Sequence, residues 1–130
     1  MIALIMLFAA EPQEARVDCK KPDTQFAMNE CADRDFQRAD IAMNKQWAKT
    51  KSLMAARDAD AKGTTPDGDP SYVDALVTSQ RAWLAFRDAE CKVESYSMRG
   101  GSAQPLESVT CKSRLTAGRT RQLAQLAKDL

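Results

Sequence analysis

Gln80-Arg81-Ala82-Trp83-Leu84-Ala85-Phe86-Arg87-Asp88-Ala89-Glu90-Cys91 is the stretch on which the fold turns. It reads as one face of a packed helix that carries polar groups where apolar ones are expected, and it ends on a cysteine. Gln80 and Arg87 stand seven residues apart, close to an apolar stripe with Trp83 between them.

Working outward, Val73, Leu76, Val77, Trp83, Leu84 and Cys91 line one side of this helix. Asp69-Pro70 is a start signal, with Asp as the N-cap and Pro in the first helical position. Gly100-Gly101 is expected to end the helix near Arg99. Upstream, Pro22-Asp23-Thr24 is another start signal. From there Met28, Cys31, Phe36, Ala39, Met43, Trp47 and Met54 recur at mostly three- or four-residue steps. This predicts a long amphipathic helix reaching about Ala61, with Gly63 beyond its end. Residues 63–70 form a loop. Residues 102–108, containing Pro105, form a second. A third helix is expected from about Ser108, with Leu115, Leu123 and Leu126 on one face. No stretch alternates cleanly with period two. The fold class predicted is all-α: a three-helix up-down-up bundle with two disulfides.

The chain has 130 residues, which suits one domain. Basic and acidic residues number 19 and 18, so bulk charge favours neither nucleic acid nor an anionic membrane. There is no histidine. A Ser-His-Asp or Cys-His mechanism is therefore impossible within this chain, and the commonest metal ligand is missing. The run Ile2-Ala3-Leu4-Ile5-Met6-Leu7-Phe8-Ala9-Ala10 is too short to span a bilayer. It resembles the apolar part of a secretory signal peptide, although a basic start is missing, and residues 1–15 are expected to be a leader. Its removal deletes Glu11 and Glu14, leaving 19 basic against 16 acidic residues. No stable membrane insertion is expected after that removal, and the predicted location is periplasmic or secreted.

Four cysteines in a short exported chain predict two disulfides. Cys31 lies about 12 Å up the first helix. The leader from Cys19 to Asp23 can span about 13 Å and fold back to reach it. Cys91 and Cys111 flank a glycine-containing loop that reverses the chain. The expected pairs are Cys19–Cys31 and Cys91–Cys111.

Several polar groups fall on or beside the predicted interfaces: Asp40 and Asn44 on the first helix, Gln80 and Arg87 on the second, Thr116 and Arg119 on the third. Such groups must find partners or cost a few kcal/mol each. The expected outcome is a structural network, for example Arg87 with Asp40, that fixes helix register. Glu90 and Glu94 form an i, i+4 carboxylate pair, but nothing around them suggests a sugar-cleaving cleft. Asp58, Asp60, Gly63 and Asp69 match four positions of a calcium-loop template. Lys62, however, stands where an oxygen ligand is required, so a solvated acidic loop is the better reading and no metal is expected. Asp58, Asp60, Asp67 and Asp69 make one candidate contact loop; Arg99, Gly100, Gly101 and Ser102 make the other. No catalytic residue and no cofactor are expected.

Residues spread from Cys19 to Leu123 resemble the domain family named after the LprI-type lysozyme inhibitor, small exported bacterial proteins. Cys19, Thr24, Met28, Asn29 and Cys31 resemble its opening motif, and Ala39-Asp40 with Asn44 its middle. Gln80-Arg81-Ala82-Trp83, Phe86-Arg87-Asp88-Ala89 and Cys91 resemble its most recognisable stretch. Gly100-Gly101-Ser102, Cys111, Leu115-Thr116, Arg119-Thr120 and Leu123 resemble its end. Ala27 departs from a frequent glutamate, Met43 from a leucine and Trp47 from a tyrosine. The resemblance implies a helical, disulfide-linked, non-enzymatic domain and, for some relatives, inhibition of lysozyme. The partner implied is thus a protein, with lysozyme the first candidate. The lysozymes such inhibitors meet are usually cationic, so a slightly positive mature chain would have to rely on a local acidic patch. The alternative is a structural or assembly factor of the envelope with no lysozyme contact.

Overall fold

The computed structural model describes residues 17–63 and 65–129. The expected leader, residues 1–15, lies outside the described residues. Three α-helices and one short 3₁₀ turn follow in order: α1 (Gln25–Asp60), α2 (Tyr72–Glu94), the turn (Ser95–Met98) and α3 (Gln104–Asp129). At 1.5 Å per residue, α1 is about 54 Å long.

α1 begins where the sequence predicts. Thr24 is extended, and its hydroxyl accepts the Ala27 N–H at 3.0 Å. It ends at Asp60, with Lys62 and Gly63 both in the left-handed region at φ 53° and 68°. That conformation reverses the chain without strain only at Gly63.

Three boundaries differ from expectation. α2 starts at Tyr72 with Ser71 as its N-cap, two residues after the expected Asp69. The Ser71 hydroxyl accepts the Asp74 N–H at 3.1 Å. The Asp58 carboxylate at the end of α1 accepts the Tyr72 and Val73 N–H groups at 2.9 and 3.0 Å. Three of the four amides that a helix start leaves without partners are thus satisfied from this register. α3 starts at Gln104, four residues before Ser108. Pro105 is its second residue, where the absent N–H costs nothing. α2 itself stops at Glu94, before the expected Arg99, and tightens into the 3₁₀ turn. Gly100 then takes φ 79° and donates its N–H to the Gln104 side chain at 3.0 Å.

The topology is up-down-up. α2 runs antiparallel to both neighbours, because Tyr72 meets Asp58 and Gln80 meets Met43, while Arg87 meets Asp40 on one side and Thr116 on the other. α1 and α3 are therefore parallel, and their interface is the most extensive in the bundle. The apolar core is small. Met43, Met54, Leu76 and Leu123 are buried, and Trp47, Val73, Trp83 and Leu84 pack against them. Leu126, expected on the inner face, is 38% exposed. The buried Thr50 hydroxyl donates to the Leu123 carbonyl at 2.9 Å, tying α1 to α3 inside this core.

Both expected disulfides are present, Cys19–Cys31 and Cys91–Cys111. They lie at the same end of the bundle, since Ala32 and Asp35 of α1 share a cleft with Thr110 and Ser113 of α3. The Arg34 guanidinium adds a clasp there, donating to the Val17 carbonyl at 3.2 Å and lying 3.7 Å from the Cys19 sulfur. The other end, with the residue 61–71 loop, carries no disulfide among the described residues.

Candidate functional surfaces

The mid-bundle polar residues come from all three helices. α2 contributes Gln80, Trp83 and Arg87, spaced so that each faces the seam between α1 and α3. Arg87 is buried. It donates to Asp88 at 3.0 Å and to the Thr116 hydroxyl of α3 at 3.3 Å. Its nearest Asp40 oxygen is 3.7 Å away, an ion pair but not a hydrogen bond. Its guanidinium carbon also lies 5.3 Å from the Phe36 ring centre and 5.4 Å from that of Trp83.

Arg119 approaches Trp83 from α3, at 5.7 Å. It donates to the Gln80 carbonyl oxygen at 2.9 Å, to the Ser79 hydroxyl at 3.0 Å and to the Gln122 oxygen at 3.3 Å. These acceptors are neutral, and no carboxylate pairs with Arg119 among the described residues. Burial accordingly lowers its pKa from the usual guanidinium value. Trp83 supplies the compensating field, because its ring face is negative.

Gln80, Arg87, Thr116 and Arg119 therefore converge in the interior, with Asp40 at the edge. Asn44 does not join them. It is exposed and donates to Asp40 at 3.0 Å. Sequence reasoning missed Phe36, Ser79 and Gln122 as partners of the two arginines. Ser79 lies eight residues before Arg87 and Gln122 three after Arg119, so helical phase could have pointed to both; the role of Phe36, on α1, depends on how the helices cross.

The two candidate loops lie at opposite ends of the bundle. At the α1–α2 end, Asp58 is engaged as the cap of α2, and Asp67 accepts the Asp69 N–H at 3.1 Å. Asp60, Asp67 and Asp69 are exposed, and Tyr72 is 48% exposed beside them. A shallow cleft of about 480 Å³ runs between Asp58, Pro66, Asp69, Pro70 and Tyr72. Because Asp58 points to α2, the calcium-loop arrangement is not assembled. No group of three or more acidic or cysteine side chains is placed to hold a metal ion among the described residues. At the other end, Arg99, Gly100, Gly101 and Ser102 are exposed, and the Arg99 guanidinium stacks 4.6 Å from the Tyr96 ring. Glu94 does not act with Glu90. It forms a bidentate pair with Arg114 at 2.7 and 2.9 Å.

A third surface lies between α1 and α2. There Asp40, Asn44, Trp47 and Lys51 face Gln80 and Arg81 across a groove of about 480 Å³.

The family model for lysozyme inhibitor LprI matches residues 18–123, which takes in both disulfides and every element of the mid-bundle network. The chain belongs to the LprI family. An uncharacterized protein of Rhizobium meliloti (strain 1021) is 35% identical over 123 residues, spanning 92% of this chain and 86% of its own. No solved structure matches. The LprI match also fits the architecture: its bounds run from the residue before the first cysteine to Leu123, the last fully buried side chain of the core. The family is named for an inhibitor of lysozyme. None of the described helices is long and apolar enough to cross a membrane.

Proposed function

We propose that this LprI-family protein is an exported, non-enzymatic binding protein of the bacterial cell envelope that inhibits lysozyme. The family match carries the reading. Two disulfides support an oxidising compartment, because such bonds persist outside the reducing cytosol. The end formed by the α1–α2 loop is the surface we assign to the enzyme. Asp60, Asp67 and Asp69 offer a local negative field to a cationic enzyme, which raises the encounter rate despite the positive mature balance. Tyr72, half exposed next to Pro66 and Pro70, is suited to anchor the contact, as aromatic side chains at interface centres do.

Incubation of the purified protein with a panel of lysozymes and a cell-wall substrate tests the reading. Hydrolysis that falls with added protein supports it, and loss of the effect in an Asp60→Asn/Asp67→Asn/Asp69→Asn variant locates the surface. Unchanged hydrolysis at large molar excess against every enzyme rejects it. A second reading, an envelope assembly factor, is favoured by the apolar side chains Phe86 and Val93 that α2 leaves 53% and 64% exposed. Recovery of a stable envelope complex without lysozyme would favour it.

A further inference from the structure

The groove between α1 and α2 has a chemistry that the lysozyme reading does not use. Its rim mixes donors and acceptors. Asp40 and the Asn44 carbonyl accept; Arg81 and Lys51 donate and form no ion pair among the described residues. Trp47 is half-buried, lines the same groove, and adds an indole N–H with no acceptor among the described residues. At the base lies Gln80, only 7% exposed. Its amide orientation is set from behind. Arg119 occupies the Gln80 oxygen at 2.9 Å, so the amide NH₂ is turned to the groove side, where its acceptor is the Met43 sulfur at 3.6 Å. A thioether is a weak acceptor. Gln80 thus holds a buried, oriented donor that is poorly used by the protein itself.

The mixture selects the ligand class. An anion would meet the Asp40 carboxylate, and a cation would meet Lys51 and Arg81. A neutral molecule with many hydroxyls, each both donor and acceptor, can use both sets of groups. Sugar rings also present apolar C–H faces that pack on aromatic side chains such as Trp47. The volume, about 480 Å³, lies within the range of small-molecule sites. We infer that this groove binds a neutral oligosaccharide, with Trp47 as the packing surface, Gln80, Asn44, Asp40 and Arg81 as the hydrogen-bonding groups, and Arg119 as the positioning residue for Gln80. This site is separate from the acidic end and stands whether or not lysozyme is a partner.

Calorimetry and tryptophan fluorescence of the full chain, titrated with tri-N-acetylchitotriose and with cellotriose, test the inference. Saturable binding of at least one sugar is expected. Asn44 and Arg81 are exposed, so Asn44→Ala and Arg81→Ala leave the circular dichroism melt unchanged. Each should weaken binding by about fivefold, the effect of one lost hydrogen bond. Trp47→Leu should weaken it further. Three results would overturn the inference: no saturable signal with either sugar up to about 10 mM, a concentration that covers even millimolar affinities; unchanged affinity in all three variants; or equal binding of an uncharged tripeptide, which would mark the groove as a peptide site.

Discussion

Breaking the Cys91–Cys111 bond should remove a large part of the stability of this fold. The bond closes a loop across 20 residues and joins the end of α2 to the second turn of α3. Chain-entropy bookkeeping for a loop of that length gives about 3 kcal/mol at 25 °C. Both sulfurs sit in the interior, with Cys91 0% and Cys111 1% exposed, so a Cys91→Ala/Cys111→Ala variant also loses packing. The same formula gives almost as much, about 2.8 kcal/mol, for the 12-residue separation of Cys19 and Cys31. The structure separates the two cases. Cys19 is exposed, and the segment 17–23 ahead of α1 that it anchors is held to the helices by Arg34. In a Cys19→Ala/Cys31→Ala variant this segment can come away while the three helices stay packed. Urea unfolding followed at 222 nm should therefore show a loss of about 3 kcal/mol for the first variant, a drop in Tm of about 10–15 °C for a chain this size. The second variant should lose less than half of that. Equal midpoints for the first variant and the parent, or a larger loss in the second, would show that the reasoning from loop length and burial is wrong.

Three further outcomes are expected. Leu123→Ala empties a fully buried site in a core with few large side chains and should cost about 3 kcal/mol by denaturant unfolding. Asp58→Ala removes two amide acceptors from the start of α2; it should cost about 1–2 kcal/mol and speed hydrogen exchange at Tyr72 and Val73 selectively. In double-mutant cycles, Arg87→Met with Thr116→Val should couple by about 1 kcal/mol, a buried hydrogen bond to a charged group. Arg87→Met with Asp40→Leu should couple by about 0.5 kcal/mol or less, because that pair is 3.7 Å apart and the Asp40 side chain is 38% exposed. The reverse order would relocate the main partner of Arg87.

The helices and both bridges were legible in the sequence because they rest on local signals: the Thr24 cap, three- and four-residue apolar steps, and cysteines at reachable distances. The start of α2 was not. Asp69-Pro70 and Ser71-Tyr72 are both acceptable starts, and the choice is made by Asp58, fourteen residues before Tyr72. Pro105 misled for a related reason. A proline interrupts a helix interior but is tolerated in the first turn, and only the Gly100 turn shows which applies. Of the polar residues, Gln80, Arg87, Thr116 and Arg119 could be placed at the interface from phase alone. Of their pairings only the Arg87–Asp40 ion pair could be, since the crossing of the helices sends the hydrogen bond of Arg87 to Thr116 and leaves Asp40 at the edge.

The placement of both sulfur bridges at one pole gives the molecule a mechanical direction. Pulled apart at the cross-linked pole, α2 and α3 would hold until a covalent bond broke. Pulled at the opposite pole, α2 would peel from α1 one turn at a time, starting where Asp58 clamps it. A molecule built this way can yield at one tip while its root stays shut.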